Sequence, residues 1–293
     1  MVSNRGTDRV FNIVIIVIMS LFSIITILPL LFVLANSFSS ADAVNAGEVG
    51  LIPVDFTLAG YERVFSDSEI MRGYGNTLLY TAIGILIQLI LQFTAAYPLS
   101  RKDLRFRGVF NLFFVITMFI SGGMIPTYLV VKALGLINTI WAMIIPGCVG
   151  VYNVIIIRTY MQTSIPWELQ EAAMLDGCSN LRLFLTIVLP LSKPILAVMV
   201  LYSLVGYWNS YFNSLLYLTN RDLFPLQRVL DRILVSNQAN AGGAGSIGAG
   251  EAALMNKVLK YVTIVVASAP LLIIYPFFQK FFEKGMLIGG LKG

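Results

Sequence analysis

The chain of 293 residues is 57% hydrophobic and 12% charged, with a formal net charge of +5. A soluble domain carries about 25% charged residues, and half that fraction cannot cover a surface in water, which excludes a soluble protein and defines an integral membrane protein. Nucleic acid is excluded as a partner, because the basic residues stand at the ends of apolar runs and are not gathered on one face.

In chain order, apolar stretches of about 20 residues, the length that crosses the hydrocarbon core, predict six spans near 11–34, 77–99, 109–131, 141–157, 194–218 and 261–279. The first is too long for a signal-peptide core and is followed by Asn36, Ser37 and Ser39, not by a small-residue cleavage site. The expected fold is an all-α membrane protein made of one transmembrane domain over 1–293. Arg5 and Arg9 precede the first span and Arg101, Lys102, Arg105 and Arg107 crowd the second link, whereas the third link holds Lys132 alone. The positive-inside rule then puts both termini in the cytoplasm, residues 35–76 and 219–258 outside, and 164–190 inside. The basic residues Arg221, Arg228, Arg232 and Lys257 run against that count, though long translocated loops follow the rule poorly.

Several absences narrow the function. Without a histidine in the chain there is no histidine metal site, serine–histidine triad or histidine relay. No Asp, Glu, Lys or Arg falls inside the six spans, whereas a proton-driven carrier needs an ionisable group at depth. The energy source is therefore expected in another polypeptide. Neither GxxxxGK[ST] nor a strand followed by GxGxxG occurs, so no P-loop is expected; NQANAGGAGSIGAG at 237–250 reads as a flexible outward loop. Cys148 and Cys178 lie too far apart on this topology to pair and read as small buried or incidental residues. No cofactor or metal is expected in this chain.

The 164–190 segment is the most informative. Ser164 and Pro166 signal a helix start, Trp167 to Asp176 has no breaker, and Gly177 stands where a helix closes with a left-handed residue. Ser179 or Asn180 can cap a second helix with apolar Leu181, Phe184, Leu185 and Val188 at helical spacing, until Pro190 stops it. The expected product is a helix-turn-helix along the inner membrane face. Ala172 and Ala173 flatten one side of the first helix, and Glu168 and Glu171 share a neighbouring face able to meet cationic side chains. Periodicity alone fits an interfacial amphipathic helix equally well.

The spacing adds more. Glu171-Ala172-Ala173, three residues, Gly177, nine residues, then Ile187-Val188-Leu189-Pro190 resembles the EAA loop of the membrane subunits of bacterial ABC importers. ILPLLFVLANSFSS (27–40), FTLAGYERVF (56–65), IPTYLVVKALGLINTIWAMIIPG (125–147), YWNSYFNSLLYLTN (207–220) and KGMLIGGLKG (284–293) are similar to the carbohydrate-uptake branch that includes the maltose transporter's smaller permease. GGMIPTYL and YWNSYFNSLLYL are similar to an LplC/YtcP-like subgroup, which tends to handle oligosaccharides or polysaccharide fragments. The resemblance implies six spans, a coupling helix-turn-helix, a homologous second permease, two ATPase subunits that bind ATP and Mg, and an extracytoplasmic sugar-binding protein, in a bacterial plasma membrane.

It also implies roles. Glu168, Glu171, Ala172, Ala173, Asp176, Gly177, Ile187, Leu189 and Pro190 are expected to couple to the ATPase, with Gly177 as the turn and Pro190 as the stop before the fifth span. The tail residues Gly289, Gly290, Lys292 and Gly293 would lie along the ATPase pair, although composition alone reads them as a frayed end. Tyr207, Trp208, Asn209, Tyr211, Phe212 and Asn213 fall on the fifth span, where aromatic faces and amides suit sugar rings and hydroxyls. The same residues suit an aromatic belt or a packing surface. Asn209 and Asn213 are expected on one face, as are Gln88 and Gln92 on the second span. In the maltose system most sugar contacts lie in the other permease. A self-contained secondary carrier or channel is the alternative.

Overall fold

A computed structural model describes residues 5–241 and 249–290, and all regular elements among them are helical. Three helices are long and apolar enough to cross a membrane, Arg9–Ser37, Ser68–Ser100 and Met255–Gln279. Two bent pairs raise the number to five if each is one span: Arg107–Phe119 with Met124–Ala133, bent by 109°, and Asn180–Leu191 with Lys193–Trp208, bent by 79°. The chain forms two compact units, Met1–Ile70 with Leu230–Pro270 and Met71–Val229 with Leu271–Gly293.

In the first unit, the apolar stretch of the Arg9–Ser37 helix buries none of its side chains. Its C-terminal end runs into a folded segment, not a loose loop. Ser39 Oγ donates to Ala35 O at 2.7 Å and accepts from Val54 N at 3.0 Å, while Thr57 N donates to Phe38 O at 2.9 Å. Phe38 stacks on Phe56 and Tyr61, and Tyr61 Oη shares a 2.8 Å hydrogen bond with Ser37 Oγ. Short helices Ala41–Ala46 and Ala59–Phe65 complete this segment, so much of the outward loop expected at 35–76 is ordered by aromatic and hydroxyl contacts. Glu69 and Arg232 form an ion pair.

In the second unit, the span expected at 109–131 is broken at Gly123, whose φ of 82° a β-carbon would oppose. The one expected at 141–157 is two helices, Trp141–Ile144 and Val151–Ser164; Pro146 and Gly147, with φ 85°, interrupt it. That at 194–218 breaks between Lys193–Trp208 and Tyr211–Tyr217. Hydropathy reports apolar length, which these glycines and prolines leave intact while ending the hydrogen-bond ladder. Residues 237–241 belong to the Leu226–Ala241 helix and 249–250 to the Ala249–Gly290 helix, so the loop expected at 237–250 is helical at both ends; 242–248 lie outside the described residues.

One face of the Ser68–Ser100 helix holds the 219–226 stretch by its backbone. Asn76 Nδ2 donates to Asp222 O at 2.7 Å and Phe224 O at 3.0 Å, Tyr80 Oη donates to Leu223 O at 2.7 Å, and Leu226 N donates to Thr77 Oγ1 at 2.8 Å. Arg72 adds an ion pair to Asp222, and Asn138 Oδ1 accepts from the amides of Thr219 and Asn220. The core of this unit joins Phe93, Ala96, Tyr97 and Leu99 to Val154, Ile157 and Met161, and to Ile165, Leu183, Phe184, Val188, Ile195 and Met199. Ile165, Leu183, Phe184 and Val188 come from the 164–190 stretch, so the expected helix-turn-helix is rooted in the core. Leu183 alone, fully buried, is worth about 1.5–3 kcal/mol.

Candidate functional site

The first site is the 165–191 stretch. Pro166, with φ −58° and ψ 137°, turns the chain from the Val151–Ser164 helix into Trp167–Leu175. That helix ends in a Schellman motif: Cys178 N donates to Ala173 O and Gly177 N to Met174 O, both at 3.0 Å, with Gly177 at φ 77°. Ser179 then caps the next helix, accepting from Arg182 N at 3.4 Å. The turn expected at Gly177 is present, and of the two expected caps, Ser179 and Asn180, the structure uses Ser179.

Pro190 does not stop the second helix. Asn180–Leu183 passes into a π-helical turn, Phe184–Val188, and the helix continues through Leu189–Leu191 to a bend at Ser192. Proline lacks the amide that would satisfy a carbonyl one turn back, and the wider π register, in which Leu189 N donates to Phe184 O, carries the chain through. Ser192 Oγ donates to Val188 O at 2.8 Å at the bend.

Burial divides the expected coupling residues into two groups. Glu168, Glu171, Ala172, Asp176, Gly177 and Pro190 are exposed, while Ala173, Ile187 and Leu189 are partly buried against the core. Sequence reasoning missed Leu175, 85% exposed and beside Asp176 and Gly177, and Leu181, at 68%. The signal available was an apolar residue next to the helix-closing glycine. The exposed surface thus combines acids, a flat alanine and a leucine, which suits a partner with cationic and apolar contacts.

The stretch is fixed from beneath by the link after the Ser68–Ser100 helix. Arg101 is buried among Asp103, Tyr97, Trp167 and Met174. Its hydrogen bonds hold the Asp103 carboxyl below the ordinary carboxylate range, against a smaller opposing effect of burial, and raise its own guanidinium. Gln162 Nε2 donates to the carbonyls of Leu99 and Ser100 at 3.4 and 3.3 Å.

The second site is a polar cavity of about 220 Å³ lined by Gln88, Met143, Pro146, Gly147, Tyr202, Ser203, Gly206, Tyr207, Ser210 and Asn213. The buried hydroxyls of Ser203 and Ser210 have no protein partner among the described residues, nor do either of the amide atoms of the fully buried Gln92. Of the residues expected to meet sugar, Tyr207 and Asn213 line this cavity; Trp208, Asn209 and Phe212 do not. Trp208 is buried edge-on to Tyr74, Asn209 Nδ2 turns back to Val205 O at 3.0 Å, and Phe212 is 55% exposed. The helix break between Trp208 and Tyr211 separates Asn209 from Asn213, so they do not share the expected helical face. Gly84 makes room for Tyr207, since a β-carbon there would stand 2.4 Å from the ring Cζ. Tyr207 Oη donates to Ile144 O at 3.3 Å. Of the expected tail residues, Gly289 and Gly290 end the Ala249–Gly290 helix, and Lys292 and Gly293 lie outside the described residues.

A helical membrane chain with a polar cavity and a core-rooted helix-turn-helix that exposes acids and a leucine fits the transport-permease class. The chain belongs to the binding-protein-dependent transport system inner membrane components, whose family model matches residues 1–288. It is therefore a component of the bacterial inner membrane. It is 40% identical over 290 residues to protein LplC of Bacillus subtilis (strain 168), covering 99% of this chain and 97% of that one. It is 39% identical over 286 residues to the polygalacturonan/rhamnogalacturonan transport system permease protein YtcP of the same organism, covering 98% and 99%. A chain of a bacterial ABC transporter involved in the import of the acidic polysaccharide alginate superposes with a TM-score of 0.85 at 32% identity, over 96% of this chain and 99% of that one.

Proposed function

We propose that this chain is one of two permeases in an ATP-driven importer of an oligosaccharide or polysaccharide fragment. The observation that carries this reading is the Schellman-closed, core-rooted helix-turn-helix with Glu168, Glu171, Ala172, Leu175 and Asp176 exposed. Relatives named for polygalacturonan, rhamnogalacturonan and alginate transport support an acidic polysaccharide fragment as cargo. Both termini and the 164–190 stretch face the cytoplasm, six spans cross the membrane near 11–34, 77–99, 109–131, 141–157, 194–218 and 261–279, and 35–76 and 219–258 face the binding protein. ATP and Mg act in the partner ATPase, which docks on the exposed acids and Leu175. The polar cavity is this chain's share of the sugar path, where Gln88, Ser203, Ser210 and Asn213 replace water at sugar hydroxyls.

The test is purification of the chain from its native membrane through a tag, with mass spectrometry of what accompanies it. A second permease, an ATPase and a solute-binding protein are expected; a chain that emerges alone across detergents refutes the reading. Glu171→Lys should remove most of the local negative charge, and with it lower ATPase capture about tenfold while leaving membrane insertion intact.

A further inference from the structure

Arg101 is the single charged side chain that is buried among the described residues, at 5% exposure. A charge is tolerated there only if its hydrogen bonds are met, and its partners come from separate pieces of the chain. Asp103 accepts from Nε at 2.8 Å and from Nη2 at 2.6 Å. Nη1 donates to Tyr97 Oη at 3.0 Å, and Tyr97 Oη donates in turn to Asn180 O at 3.5 Å. Nη2 also reaches Met174 Sδ at 3.0 Å, and the guanidinium stands 5.6 Å from the centre of the Trp167 ring. Trp167 opens the Trp167–Leu175 helix, Met174 lies in its last turn, and Asn180 opens the helix after it. One guanidinium therefore touches both ends of the first short helix and, through Tyr97, the start of the second.

Resting on the coupling role proposed above, we infer that Arg101 is the positioning residue that passes displacement of the coupling helix to the Ser68–Ser100 helix and so to the sugar path. It directly follows the last residue of that helix, which carries Gln88, a cavity-lining residue, about 20 Å further along at 1.5 Å per residue. A guanidinium meets Asp103 with two parallel N–H groups and still has a third directed at Tyr97, which fixes the angle between the link and the loop. The point charge of a lysine meets one partner at a time.

The test uses the whole complex, with its second permease, its ATPase and its co-purified binding protein, in nanodiscs. Its readout is the factor by which the binding protein, with whatever sugar it retains, stimulates ATP hydrolysis, a signal that must cross the membrane. Arg101→Gln should assemble and keep basal hydrolysis within about twofold, while the stimulation factor falls at least about fivefold, the low end of usual coupling effects. Arg101→Lys should restore it in part. A side chain with a merely structural role would lower yield, basal and stimulated rates together and leave the factor unchanged, and that result overturns the inference. If Arg101→Gln does not assemble, Asp103→Asn removes the counter-charge alone; an unchanged factor in that variant overturns it equally. A wild-type complex that captures no ATPase, or whose hydrolysis ignores the binding protein, refutes the proposed function itself.

Discussion

At the scale of single residues, the two sites depend on different properties. Gly177 matters for its φ of 77° and not for space, since nothing lies within 4 Å of a β-carbon there. Gly177→Val should cost about 1–2 kcal/mol of local stability and reduce ATPase capture, whereas Gly177→Asn, which tolerates the left-handed region, should keep most of it. Gly84 matters for space. Gly84→Ala should destabilise by about 1–3 kcal/mol through overpacking against Tyr207, seen as a lower unfolding midpoint in detergent, and adding Tyr207→Ala should make the pair less costly than the sum.

Asp103 supplies a pH test with a definite sign. Its carboxyl is held below the ordinary range chiefly by the Arg101 hydrogen bonds, so its contribution is complete above the unfolded value and is lost only as pH falls through the lower folded one. Trp167 emission, in a chain whose Trp141 and Trp208 are phenylalanine, should therefore stay constant down to about pH 4, near the unperturbed aspartate value, and change below it. In Asp103→Asn that acid limb should vanish.

At the scale of elements, the surface of the Trp167–Leu175 helix divides between a core-facing and an exposed side. Ala173 and Met174 pack inward while Glu171, Ala172 and Leu175 face out. Under the proposed docking, Leu175→Ala should weaken ATPase capture about tenfold with little change in the unfolding midpoint, because this exposed side chain makes its contact with the partner and not with the core. Leu183→Ala should do the reverse and cost about 2–5 kcal/mol. The turn at Gly177 and the cap at Ser179 were legible in the sequence, because each depends on a local residue type at a fixed offset. The split of Ala173, Ile187 and Leu189 from the exposed acids was not, since it depends on which face the distant Phe93, Ala96 and Tyr97 cover. Pro190 misled because its effect depends on hydrogen-bond register: a π-helical turn carries the chain past it to Ser192. The interrupted spans were hidden for a related reason, as Gly123 and Gly147 break backbone geometry without lowering the hydropathy around them.

At the scale of the whole molecule, each unit leaves something for other components to complete. The apolar stretch of the Arg9–Ser37 helix buries no side chain within the chain, so lipid or a second permease must cover it. The polar cavity leaves the hydroxyls of Ser203 and Ser210 unpartnered among the described residues, a state that persists only where water or a hydroxylated cargo enters.

The latch on the 219–226 stretch has a consequence for how such a protein can change over time. Asn76, Thr77 and Tyr80 bond to main-chain atoms of Asp222, Leu223, Phe224 and Leu226, and Asn138 to those of Thr219 and Asn220. Main-chain atoms are the same in every residue but proline, so these latch bonds ask only that 219, 220 and 226, whose amides donate, keep an N–H. Exposed Thr219 and Arg221 can change while the backbone path stays the same, whereas Asp222 pairs with Arg72 and Phe224 and Leu226 are buried. A designer altering this stretch would keep Asp222, Phe224 and Leu226 and vary the exposed positions between the latch bonds.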